Sequence, residues 1–110
     1  MPDINLTELL HQMMAAAAAA AGKEWPAIRD YAEIEFSGLI YTAAYVGDKT
    51  LTGDISREDA VNLMEMQKNR RRAVLLSIQV QSEVMLESAI NAALDVARSG
   101  INVALGFALL

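Results

Sequence analysis

Cysteine is absent from this 110-residue chain, which removes both a disulfide framework and a thiolate metal site and leaves the redox compartment open. A basic charge balance is missing too: nine Lys and Arg against fourteen Asp and Glu give a net charge of −5. That argues against nucleic acid as a general partner, because such binding needs a basic surface that neutralises phosphates and releases counterions. Aromatic residues make up 5% of the chain while hydrophobic ones reach 54%, much of it alanine. The apolar surface is therefore built from small and aliphatic side chains, suited to close helix packing more than to an enzyme pocket. No uninterrupted apolar run approaches the roughly 18–20 residues of a transmembrane helix; the closest, 101–110, is too short and contains Asn102. No Lys or Arg precedes Lys23, so the positive region of a secretory signal is lacking; the N-terminus is read as mature protein and a cytoplasmic location is expected.

Helix breakers are also scarce, with two prolines and six glycines. Neither occurs from Ser56 until Gly100. Ser56 is a candidate N-cap, Asp59 supplies the reciprocal side chain of a capping box, and Arg98 precedes Gly100 as expected at a C-terminus. The spacing predicts one helix over 56–99, about 65 Å long at 1.5 Å per residue. One face carries Ala60, Met64, Val74, Ile78, Met85, Ala89, Ala92 and Val96; a second apolar line runs through Ala73, Leu76, Val80 and Val84. One partner helix cannot cover both lines.

The first half predicts helices over about 4–22 and 26–46. Asp3 is a candidate cap, Leu6, Leu9, Leu10, Met13 and Met14 recur at helical spacing, and an alanine run follows to Ala21. The run offers a smooth surface for close approach of another helix. Gly22, Trp25 and Pro26 then impose either a kink or a break, since Pro26 fits equally as the first residue of a second helix. Beyond it, Ile28, Ala32, Phe36, Leu39, Ala43 and Val46 form a bundle seam. A second line, Ala27, Tyr31, Ile34, Tyr41 and Tyr45, runs beside it and is broken at Gly38. Gly47 is the expected stop, and 48–55 the turn.

A single domain over 1–110 follows, all-α: a long antiparallel helical hairpin, its first arm kinked or broken near Gly22 and Pro26, assembling into an oligomeric helical bundle. Collinear first-arm helices match the second arm in length, and reflection about residue 51 sets Asp30, Glu33 and Glu35 beside Arg72, Asn69 and Gln67. The basic run 67–72 is then an ion-pair belt rather than a phosphate site.

Chemistry-bearing motifs are few. Glu8 and His11 have the Glu-x-x-His spacing of carboxylate-bridged di-metal bundles, and the reflected register brings them toward Glu87; with one histidine in the chain, only a symmetric oligomer supplies a second His11. No nucleophilic triad or phosphate loop is recognisable, so neither catalytic residues nor a cofactor is expected. The expected function is that of a non-enzymatic structural protein forming a homo-oligomeric bundle. Its interface draws on Ala73, Leu76, Val80, Val84, Tyr31, Ile34, Tyr41 and Tyr45, with Val103 and Phe107 of the apolar tail docking into another subunit. The alternatives are a membrane-active protein that presents the tail 101–110 to a membrane surface, and a metal protein using Glu8, His11 and Glu87.

Overall fold

The computed structural model describes residues 4–110, and among them the fold is all-α. Helix α1 spans Leu6–Ala21, α2 Trp25–Leu51, α3 Arg57–Leu76 and α4 Glu83–Leu105, with a single 3-10 turn, Gly22–Glu24, between the first two. Asp3, the expected first cap, lies outside the described residues; Asn5 caps α1 by accepting a 3.0 Å hydrogen bond from the Glu8 amide.

The first arm is two helices rather than one kinked rod. Gly22 adopts φ 55°, a conformation that a side chain strongly disfavours, and its amide closes α1 by donating to the Ala18 carbonyl. Pro26 then sits in the first turn of α2, where its missing N–H leaves no bond unmade. Trp25 packs at this corner against the core.

The continuous helix expected over 56–99 is broken at 77–82. Ser77 turns its hydroxyl onto the Val74 carbonyl at 2.6 Å, competing with the helix ladder, and Ser82 caps α4 by accepting from the Met85 amide. The side chain of Glu24, buried at 5% exposure, accepts the Gln81 amide at 3.0 Å. The two corners are thus tied to each other, a contact that local periodicity does not encode.

Two expected stops are also displaced. Gly47 stays inside α2 because the Leu105 side chain fills the place of its missing Cβ, and the helix closes only where the Thr52, Gly53 and Asp54 amides fold back on Asp48, Thr50 and Lys49. Gly100 likewise stays inside α4 because Leu9 packs on it. The left-handed stop is Gly106, at φ 79°, whose amide reaches the Asn102 carbonyl at 2.9 Å.

Folding back at both corners yields an up-down-up-down four-helix bundle within one chain. α1 lies antiparallel to α4, with Leu9 on Gly100 at one end and Gly22 beside Met85 at the other. α2 lies antiparallel to α3, α2 and α4 meet across the middle, and the backbones of α1 and α3 come no closer than 8 Å between Cα atoms. Overall extents are 45 × 24 × 17 Å, which leaves no room for the 65 Å arms. The core is Met13, Ala17 and Ala21 against Ala89, Ala93 and Ala97, continued by Phe36, Leu39 and Ile40 and by Leu86, Ile90 and Ile101. The alanine run does serve close packing, with α4 as its partner. In α3, Leu75 is buried while Val74, expected in the core, is exposed.

Candidate functional site

The inward seam of α2 is covered by the bundle, and the second line is left in solvent. Tyr31, Ile34, Tyr41 and Tyr45 are 56%, 65%, 54% and 64% exposed, all on the side of α2 opposite Phe36 and Leu39. They are flanked by α1 on one side and α3 on the other. On the α1 side, His11, Met14 and Ala18 share a groove of about 480 Å³ with Trp25, Arg29, Glu33 and Tyr41. On the α3 side, Arg71 lays its guanidinium over Gly38 and pairs with Glu35 at 3.4 Å.

That last contact fixes the register of α2 against α3. It sits one turn from the reflection expected about residue 51, because α2 runs on to Leu51 and the chain turns later. In this register the exposed Leu63, Met66 and Val74 of α3 lie at the heights of Tyr45, Tyr41 and Ile34. They occupy the α3 edge away from Glu65, Asn69 and Arg72, which face α4. Helices α2 and α3 therefore carry eight of the ten large hydrophobics exposed among the described residues, Leu51 at the end of α2 included; the others, Val84 and Val103, are on α4. The sequence reading did not place Leu63 and Met66 in the surface. Their spacing of three residues was the available signal.

The second apolar line of the former long helix is divided. Ala73 is exposed, Leu76 and Val80 pack against the core at the corner, and Val84 stands 75% exposed at the start of α4. The apolar tail is seated on its own bundle. Leu109 is buried, the Asn102 side chain accepts the Leu109 and Leu110 amides at 2.9 Å each, and Phe107 is covered by the Arg57 guanidinium, 4.8 Å from its ring centre. Val103 remains 82% exposed.

The basic run does not form the expected belt. Arg71 alone reaches an acid of α2; Lys68 pairs with Glu65 on its own helix at 2.7 Å. Lys68 and Arg72 line a cavity of about 450 Å³ with Asn91, Asp95 and Arg98, and Arg98 and Asp95 pair with each other there. Among the described residues Asp30 and Glu33 form no ion pair.

Glu8, His11 and Glu87 are not assembled. α1 against α4 sets Glu8 and His11 at the Gly100 end and Glu87 at the Gly22 end, and Glu8 accepts a 3.5 Å hydrogen bond from Gln12. No group of three or more His, Cys, Asp or Glu side chains is placed to hold a metal among the described residues. None of the described helices is long and apolar enough to cross a membrane. Comparison with protein-family models, with curated proteins and with solved structures gives no match.

Proposed function

We propose that this protein is a non-enzymatic structural protein whose helical bundle assembles with further copies of itself through the α2/α3 wall. The observation that carries this reading is the row Tyr31, Ile34, Tyr41 and Tyr45, each more than half exposed on a helix whose other face is fully committed to the core. Large apolar side chains in contiguous array on a surface are characteristic of interaction sites. Tyrosine suits such a site because its ring supplies contact area while its hydroxyl finds a partner or water at the rim.

Sedimentation equilibrium over micromolar to submillimolar concentrations tests the reading. A mass that rises with concentration to a multiple of the monomer is expected. Because each copy carries −5, association should strengthen when salt is raised from ~0.01 M to ~0.15 M, as repulsion is screened. A single monomeric species throughout that range removes the proposal.

A further inference from the structure

Resting on the assembly reading, we infer that the outer face of α2 is one half of a twofold antiparallel helix pair, centred near Gly38, with a second copy of this chain as its occupant. Ala27, Tyr31, Ile34, Gly38, Tyr41 and Tyr45 follow one another at steps of four, three, four, three and four residues. That is the a/d alternation of a coiled-coil seam, sustained on a face that the chain's own bundle does not use. The break seen at Gly38 in the sequence is a regular position of the seam, occupied by the Arg71 guanidinium reaching across from α3. The pair Arg71–Glu35 is the one polar layer in the row, and a single polar layer is a device that fixes register.

The row is self-complementary. Tyr31 lies seven residues before Gly38 and Tyr45 seven after; Ile34 lies four before and Tyr41 three after. Reversing a second copy about Gly38 sets Tyr31 against the partner's Tyr45 and Ile34 against the partner's Tyr41, which is the isologous arrangement of a twofold dimer. Charge selects the antiparallel sense. The N-terminal half of α2 carries Asp30, Glu33 and Glu35 against Arg29 alone, whereas its C-terminal part carries Asp48 and Lys49. Parallel copies would stack the acidic halves together, and antiparallel copies keep them apart.

The row is also wide. Leu63, Met66 and Val74 of α3 add to it at matching heights, so seven large hydrophobic side chains, each between 43% and 67% exposed, stand on α2 and α3, the kind of array that marks an interaction surface.

The absence of cysteine makes cross-linking a clean test. Singly substituted Tyr31→Cys and Tyr45→Cys chains, mixed and oxidised, should give the mixed disulfide dimer in preference to either homodimer. Tyr41→Glu should weaken self-association at least tenfold in sedimentation while leaving helicity by circular dichroism unchanged, and Val103→Glu on α4 should leave association within twofold. Disulfide dimers from Tyr31→Cys alone would mean parallel pairing and overturn the inference. So would a dimer that survives Tyr41→Glu and is lost in Val103→Glu, which would move assembly to α4 and overturn the α2/α3 reading with it. Monomeric wild-type protein that instead binds equimolar phosphatidylcholine and phosphatidylglycerol vesicles through the tyrosines would overturn both the dimer and the assembly reading.

Discussion

The pair α1/α4 and the pair α2/α3 occupy opposite sides of one bundle and are made of different materials. In α4, seven of 23 residues are buried, recurring as Leu86, Ala89, Ile90, Ala93, Ala97, Ile101 and Leu105, and α1 meets them with Leu9, Met13, Ala17 and Ala21. Small side chains at every fourth position let the two backbones approach closely, so dispersion contacts are dense along the whole length. In α3 only Ala60, Met64 and Leu75 of 20 residues are buried. Between Met64 and Leu75 the helix presents Gln67 and Arg71 to the bundle, and the Gln67 Oε1 and Arg71 Nε atoms are buried without a partner. The inner face of α2 shares the core with α1 and α4, burying Ile28, Phe36, Leu39 and Ile40 among others, so α3 is the helix that supplies surface and is held by few apolar contacts.

The largest expected contrast is in amide hydrogen exchange. Amides in the middle of α4 should exchange only through global unfolding, about 5–15 kcal/mol for a domain of this kind. Those of α3 around residues 65–72 should exchange through local opening several kcal/mol lower. Equal protection in the two helices would erase the comparison. Next in size, Ile101→Ala removes a fully buried side chain from the α1/α4 half and should cost about 2–5 kcal/mol in denaturant unfolding. Leu63→Ala in α3, where the side chain is 43% exposed, should cost under about 1 kcal/mol.

At the corner that joins the halves, Glu24→Ala leaves the Gln81 amide without its carboxylate and should cost about 1–2 kcal/mol. Glu24→Gln keeps an acceptor oxygen and should recover much of the loss; an equal loss in both variants would show that charge rather than the hydrogen bond holds the corner. The smallest effect belongs to the α2/α3 ion pair. Replacing Glu35 and Arg71 together by leucine should change stability by less than about 1 kcal/mol in either direction, because both side chains are partly solvated and the attraction offsets little more than desolvation. A loss of several kcal/mol would make α3 a stability element after all.

How much of this was legible follows from which forces are local. The helical class, the cap at Ser56 and the inward seam of α2 were readable because capping and side-chain periodicity depend on neighbours a few residues away. The exposed row was readable as a second seam kept for an interface; the division of the other line, with Leu76 and Val80 packed at the corner and Val84 in solvent, was not, since that depends on where the helices settle. The missed elements share one cause. Gly47 and Gly100 look like stops in sequence, yet leucines from other helices fill the space beside them and the helices continue. The run from Ser77 to Ser82 lacks any strong breaker, yet it opens where Glu24 accepts the Gln81 amide. Glu8 and His11 lie apart from Glu87 within the chain for the same reason, a register set by remote contacts.

Composition and periodicity act along the chain, and they already require amphipathic helices with more apolar surface than one partner helix can cover. How that surface is divided depends on contacts between residues far apart in the chain. Reversal at Gly22 and at the 77–82 corner lets the chain bury most of it internally, and the α2 row is left outward because a helix enclosed on three sides by α1, α3 and α4 has one side remaining.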